Sequence, residues 1–189
     1  MKIFNLTADS LMYTSNTFYI QGEWNTLDDV NTLLDVGSDP MILSKLESIN
    51  GGLGKHKIDQ VIITHNHSDH VAMLSAIKEK YNPTIYAFDQ HLKHVDKALR
   101  DGDVLRIGEL YFEVFHLTAH SSDSVCLYCE ANGVLFAGDT TFPLEFENRA
   151  LKEENAYPIS RLNGKRVTKI YYGHGPVVDY SSRKFQLTK

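Results

Sequence analysis

Apolar residues along the chain recur in two patterns, and each pattern predicts a different type of element. Short runs rich in β-branched and aromatic residues predict nine strands. They cover residues 2–7, 16–21, 31–36, 58–64, 84–88, 110–118, 124–130, 133–137 and 168–172. Apolar residues at helical spacing predict helices over residues 40–49, 69–81 and 89–99, with a weaker pattern over 144–155.

Helical patterns fall between strands in both halves of the chain. This order is typical of sheets that carry helices on their outer faces, an α/β layered domain. The length of 189 residues is enough for one hydrophobic core, and the content of 42% hydrophobic and 23% charged residues is ordinary for a globular chain. We therefore expect a single domain over residues 1–189.

The charge balance limits the classes of partner. A formal net charge of −5 gives no basic surface for nucleic acid or anionic membrane, so we expect neither partner. The first residues lack the layout of a signal peptide, and two cysteines fit a reducing compartment, so we expect a cytoplasmic protein. Cys126 and Cys129 are three apart on a predicted strand and should point to opposite faces, as buried small hydrophobes. The sequence leaves homo-oligomerisation open.

The segment Thr64–His70 carries the strongest chemical signal in the chain. It reads Thr-His-Asn-His-Ser-Asp-His, and three histidines and one aspartate at fixed places in six residues arise by chance on the order of 10⁻³ times per chain. His120, Asp139 and His174 each follow another predicted strand. Active sites gather on loops at one end of the strands of a sheet, which argues against a merely histidine-rich surface loop.

The spacing within this segment predicts two binding directions. His65 and His67 are two apart in extended chain, so both imidazoles can face one ion. Asp69 and His70 open the following helix and should turn toward a second ion. Imidazole and carboxylate ligands suit Zn²⁺, Fe and Mn²⁺. Without thiolates, the set does not match a closed structural zinc site.

Five motifs in this order resemble the metallo-β-lactamase superfamily, and in particular its glyoxalase II-like branch. They are Leu33–Gly37, Thr64–His70, Thr118–His120, Ala137–Thr140 and Tyr172–Pro176. The resemblance implies a four-layer αβ/βα sandwich with two metals at its edge. It also implies the ligands: His65, His67 and His120 for the first metal, Asp69, His70 and His174 for the second, and Asp139 bridging both. Asp35 would support the ligand loops from behind.

The resemblance implies a dinuclear metal-dependent hydrolase that cleaves a thioester, ester or lactone of a small-molecule substrate by metal-bound hydroxide. Zinc is the first choice for the two divalent ions, with iron and manganese as the others. We assign Asp69 the catalytic role of orienting the nucleophile and passing a proton to the leaving group. The alternatives are a mononuclear iron persulfide dioxygenase-like oxidoreductase and a non-catalytic metal-binding relative.

The sequence departs from the family pattern at two places. Ala119 stands where the family has a glycine, and Ser122 and Asp123 replace a Pro-Gly turn, so we expect Asp123 to cap a turn beside His120. The sequence ends fifteen residues after His174. We therefore expect it to lack the C-terminal helical domain with which glyoxalase II enzymes contact glutathione thioesters.

Overall fold

The computed structural model describes residues 1–142, 162 and 164–180, which form two six-stranded sheets and three helices. The strands are β1 (Lys2–Asn5), β2 (Phe18–Gln21), β3 (Thr32–Leu34), β4 (Gln60–Ile62), β5 (Thr84–Ala87), β6 (Lys97–Ala98), β7 (Val104–Ile107), β8 (Leu110–His116), β9 (Val125–Cys129), β10 (Val134–Gly138), β11 (Lys169–Tyr172) and β12 (Val178–Asp179). The helices are α1 (Met41–Ser48), α2 (Ser68–Val71) and α3 (Leu74–Tyr81).

Both sheets are mixed. The first has the order β1-β2-β3-β4-β5-β6, antiparallel from β1 to β3 and parallel from β3 to β6. The second has the order β12-β11-β10-β9-β8-β7, in which only the pair β10 and β11 is parallel. The carboxyl ends of β3 and β4, and those of β10 and β11, therefore lead into loops at shared sheet edges.

Alternation along the strands divides the apolar residues into three layers. The middle layer joins the two sheets and contains Phe18, Ile20, Leu34, Ile62, Phe112, Val114, Leu127 and Phe136. The intervening residues of the first sheet, such as Tyr19, Leu33 and Val61, pack under the helices, against Ile42 and Leu46 of α1 and Ile77 of α3. The outer face of the second sheet forms the third layer, with Phe115, Tyr128, Leu135 and Ile170. This arrangement confirms the expected α/β sandwich.

All nine predicted strands contain observed strands, most of them shorter than predicted. Three short strands at or near sheet edges, β6, β7 and β12, were not predicted. Their residues are mostly exposed or half-buried, so they lack the apolar runs that identify a buried strand. The expectation of one domain over the whole chain stays a prediction.

The helix predicted over residues 40–49 is α1, but the one over residues 69–81 is broken into α2 and α3. The break lies at Met73, whose backbone N–H leaves the helical pattern and donates to the carbonyl of Gly37 at 3.1 Å. The bond ties the ligand-bearing segment to the loop that follows β3. The predicted helix over residues 144–155 lies outside the described residues.

The helix predicted over residues 89–99 is wrong. The side chain of Asp89 accepts a hydrogen bond from the backbone N–H of His91 at 2.9 Å, which stabilises a turn in place of a helix. His94 adopts a left-handed conformation with φ of 73°, and the chain then returns to the first sheet as β6. The apolar residues that gave helical spacing, Leu92 and Val95, pack against the layer under the helices.

Two further expectations concern the cysteines and membranes. Cys126 and Cys129 are buried, unpaired residues of β9, and they face the outer and middle layers respectively, as predicted.

Helices in the described part of the chain are at most eight residues long, so none of them has the length and apolar character to cross a membrane.

Candidate metal centre

The seven predicted ligands meet at one edge of the sandwich, in loops that follow strands of both sheets. The segment from His65 to His70 follows β4 of the first sheet and runs into α2. His120, Asp139 and His174 follow β8, β10 and β11 of the second sheet. A backbone hydrogen bond from Val125 to the carbonyl of Thr64, at 2.9 Å, joins the two sheets at this edge. The candidate centre therefore spans the seam between the sheets.

His65, His67 and His120 form the first group. Nδ1 of His67 lies 3.1 Å from Nε2 of His65 and 3.0 Å from Nε2 of His120. Nitrogens about 2.0–2.1 Å from one tetrahedral ion would stand roughly 3.3–3.4 Å apart, so these three rings converge at close to ligand spacing. His65 is buried, whereas His67 and His120 are open to solvent, so the first group faces outward on one side.

Asp69, His70 and His174 form the second group. Oδ2 of Asp69 lies 3.0 Å from Nε2 of His174 and 3.9 Å from Nε2 of His70. His70 is fully buried, while the side chain of His174 is 35% exposed. The donor atoms lie within 4.8 Å of one another, close enough to share an ion.

Asp139 lies between the two groups. Its Oδ2 is 3.7 Å from Nε2 of His120 and 3.5 Å from Nε2 of His174, and its Oδ1 is 3.4 Å from Nε2 of His70. One carboxylate therefore faces donor atoms of both groups. This is the position that the sequence analysis expected of a bridging ligand.

Two observations on the side chains test whether the residues fit metal ions. Nε2 of His70, Nε2 of His174 and Oδ1 of Asp139 are buried, and none has a hydrogen-bond partner of acceptable geometry among the described residues. Such atoms are costly to bury unless something binds them. In addition, a Cβ at Gly173 would stand 2.1 Å from Oδ1 of Asp139. The absence of a side chain at position 173 thus keeps the space beside Asp139 open. Together, the two observations show that the residues fit a pair of divalent ions.

The electrostatics of the two groups differ. Burial, together with the neighbouring His70, lowers the pKa of His65 to about 4, and burial lowers the pKa of His120 as well. Burial also opposes the charged form of His70, but the carboxylates of Asp35 and Asp139 outweigh it and raise its pKa to about 10. In the metal-free protein at neutral pH, His65 and His120 are therefore neutral, and His70 is protonated.

Asp35 supports the second group from behind, as the resemblance implied. Its Oδ2 accepts a hydrogen bond from Nδ1 of His70 at 2.8 Å, which directs Nε2 of that ring toward the centre. Its two oxygens also accept hydrogen bonds at 2.8 Å from the backbone N–H and the hydroxyl of Thr64. Asp35 thereby fixes both ends of the segment that carries His65 and His70.

Asp123 stabilises the first group. Its Oδ2 accepts a hydrogen bond at 2.8 Å from the backbone N–H of Asn66, between the ligands His65 and His67. Its Oδ1 accepts another at 2.7 Å from the hydroxyl of Ser121, in the turn that follows His120. Asp123 therefore holds its own turn, as expected, and also joins the two loops of the first group, which the sequence did not indicate.

Several residues around the centre were not singled out from the sequence. Thr64 and Gly173 lie within recognised motifs, so their positions were a usable signal. Tyr13 and Asn16 precede β2 and contact the second group, although no motif identified them. In the sequence, Tyr13 and Asn16 are ordinary loop residues, and only folding brings the tyrosine ring and the asparagine amide to the centre.

Comparison with known proteins assigns the family. The sequence model of the metallo-beta-lactamase superfamily matches residues 13–183, which is most of the chain. The chain belongs to this superfamily. Its members bind divalent metals, and the histidine and aspartate groups described above are able to hold such ions.

The chain is similar to hydroxyacylglutathione hydrolases, which confirms the glyoxalase II-like resemblance. That of Rhodopseudomonas palustris (strain BisB5) is 33% identical over 141 residues, which are 70% of this chain and 53% of that protein. That of Francisella tularensis subsp. novicida is 31% identical over 124 residues, 62% of this chain and 49% of that protein. The chain spans about half the length of these curated relatives.

One solved structure, TTHA1623 in a di-iron-bound form, matches with a TM-score of 0.69 and 21% identity, over 96% of this chain and 98% of that one. Another, ETHE1 from Myxococcus xanthus, matches with a TM-score of 0.72 and 21% identity, over 96% of this chain and 81% of that one. At such identities the likeness establishes the fold alone.

We predict that Gly173→Ala disrupts metal binding. The new Cβ would displace the carboxylate of Asp139, so affinity should fall by about 10- to 100-fold or more, measured by competition with a chelator. Gly175→Ala is the control in the same loop, because its Cβ would meet nothing within 4 Å, so its positive φ of 82° adds backbone strain without a clash. An equal loss in both variants would assign the effect to loop strain.

We also predict that binding of a metal ion to the second group releases a proton. His70 is protonated at pH 7.5 because its pKa is about 10, and only the neutral ring can bind a metal through Nε2. Titration calorimetry in two buffers of different ionisation enthalpy should show this release. Asp35→Asn removes a charge that raises the pKa of His70, so the release should shrink. Unchanged release in that variant contradicts the assignment.

Proposed function

We propose that this chain is a dinuclear metal-dependent hydrolase that cleaves a thioester, ester or lactone. The observation that carries the proposal is the pair of three-residue groups on either side of the shared carboxylate of Asp139. A non-catalytic relative would have no need of a second complete group, or of Gly173 to keep the space beside Asp139 open.

The metals would be held by His65, His67 and His120 in the first group and by Asp69, His70 and His174 in the second, with Asp139 between them. When bound, two such ions supply a hydroxide nucleophile near neutral pH and stabilise negative charge on a carbonyl oxygen. The donors are all nitrogen and oxygen atoms, which suit zinc, iron and manganese. Zinc is our first choice, and the neighbouring structure in a di-iron-bound form supports iron as the second.

Asp69 is the side chain that we propose for proton transfer. One oxygen of its carboxylate faces His174 and His70, and the side chain is only 16% exposed. A carboxylate in this position can orient a nucleophilic water through one oxygen and carry its proton to the leaving group. Nδ1 of the buried His70 is committed to Asp35, and its Nε2 is the atom that would bind the second metal, so the ring is not proposed for the same task.

A thioester of a small molecule is the first substrate class to test, because the relatives at 31% and 33% identity are named hydroxyacylglutathione hydrolase. The net charge of −5 supports a small-molecule substrate over nucleic acid or an anionic membrane. Since the chain spans about half of those relatives, the glutathione moiety itself is not part of the proposal.

The decisive experiment is metal analysis of protein purified without added metal, followed by a panel of a thioester, an aryl ester, a lactone and a persulfide. We expect two metals per chain and hydrolysis of the thioester. The hydrolytic activity of Asp139→Ala should fall by more than the roughly 10- to 100-fold that is typical of replacing a residue that only supports a ligand. Asp28→Ala, an exposed aspartate in another loop, is the matched control.

Two outcomes would overturn the proposal. One iron per chain with oxygen uptake on the persulfide would identify an oxidoreductase of the persulfide dioxygenase type. Full activity in Asp139→Ala, with the metal content unchanged, would show that the site is not the catalytic centre.

The role of Asp69 has its own test. Asp69→Asn keeps an oxygen that can face a metal but removes the proton acceptor, so kcat should fall by about 10²- to 10⁴-fold. Metal content and KM should change little. If instead the variant loses one metal while the remaining activity keeps its pH profile, Asp69 acts only as a ligand.

A further inference from the structure

The segment from Tyr13 to Asn16, which precedes β2, is hydrogen-bonded to both loops of the second group. The side-chain amide of Asn16 donates to the carbonyls of Tyr172 and Gly175, each at 2.9 Å. Its backbone N–H donates to the carbonyl of Gly173 at 2.6 Å. One residue therefore makes three hydrogen bonds to the loop that carries His174.

The same segment also reaches the other ligands of this group. The backbone N–H of Ser15 donates to the carbonyl of Asp69 at 3.2 Å. The ring of Tyr13 stacks on the imidazole of His174, with the ring centres 5.5 Å apart and the planes 19° from parallel. The positions of Asp69 and His174 thus both depend on contacts with residues 13–16.

Asn16 is itself held in place. Its Oδ1 accepts a hydrogen bond at 2.9 Å from the side chain of Asn5, at the end of β1. That bond orients the amide so that its NH₂ group faces the carbonyls of the His174 loop. The side-chain amide of Asn16 therefore joins β1 to the loop that carries His174, accepting a hydrogen bond from one and donating to the other.

The first group rests on a different network. Asp123 joins the loop of His120 to the backbone of Asn66, and the side chain of Asn66 donates to Asp89 at 3.2 Å. These residues lie in the loops that follow β4, β5 and β8, whereas the segment 13–16 precedes β2. Apart from Asp35, which holds the segment common to both groups, each group is therefore supported by a separate part of the chain.

We propose that Asn16 is a positioning residue that sets the affinity of the second metal selectively. The inference rests on the proposed function, since it requires Asp69, His70 and His174 to hold an ion. Removing the amide frees the His174 loop at two carbonyls, so the donor atom of His174 loses its fixed position. Supporting residues of this kind typically change metal affinity by about 10- to 100-fold.

The test measures Zn²⁺ affinity by chelator competition in two backgrounds that each keep one group. His120→Ala leaves the second group intact, and His174→Ala leaves the first. Adding Asn16→Ala should weaken binding by about 10- to 100-fold in the His120→Ala background and leave it unchanged in the His174→Ala background. Tyr13→Ala should act in the same direction with a smaller effect.

Asn66→Ala is the matched control, because it removes an amide beside the first group and should not weaken binding in the His120→Ala background. If Asn16→Ala does not fold, Asn16→Asp removes the donor at almost constant volume and carries the same comparison. Equal losses in both backgrounds, or no loss in either, overturn the proposal.

The wild-type protein separates this outcome from failure of the proposed function. Two metals without hydrolysis would reject the hydrolase and leave the role of Asn16 open to the same measurement. Two metals with hydrolysis, and no selectivity in the Asn16 variants, would reject the positioning role alone.

Discussion

The carboxylate of Asp35, buried at the end of β3, holds together the segment from which half of the candidate centre is built. It accepts hydrogen bonds from Thr64 at the start of that segment and from His70 at its end. Asp35 is 2% exposed and has a φ of 53°, which is unfavourable for a residue with a side chain. A buried charge in a strained conformation persists only where its surroundings compensate it, so these bonds and the position of Asp35 depend on each other.

The Asp35 interaction has a direct chemical consequence. Because Nδ1 of His70 is committed to Asp35, Nε2 must point at Asp139 and the centre. The same carboxylate stabilises the protonated ring in the absence of metal, so the interaction that orients this ligand also makes a proton compete for it. At the neighbouring His65, burial and the positive charge of His70 outweigh the carboxylates of Asp35 and Asp139, so the pKa is lowered to about 4 and the ring stays neutral. Adjacent rings in one short segment thus begin from different protonation states.

The sequence predicted most of the fold because buried strands are short apolar runs; in β9 all five residues are buried, alternately in the middle and the outer layer. It failed over residues 89–99, where the spacing of Leu92 and Val95 is helical but the side chain of Asp89 favours a turn. At the centre, the histidine and aspartate ligands could be predicted from their residue type and spacing. Asn16 and Asp123 do not, because their roles come from hydrogen bonds to residues more than fifty positions away.

The two halves of the centre therefore differ in more than their ligands. The first is built from three imidazoles, of which His65 and His120 have lowered pKa values, and it is supported through Asp123 from the second sheet. The second must displace a proton from His70 and depends on a loop positioned by Asn16 from the first sheet. Since Asp139 faces both halves, an ion in one would alter the charge that the other meets. Under the proposed assignment, residues outside the ligand set would therefore change the number of metals bound without altering a single ligand.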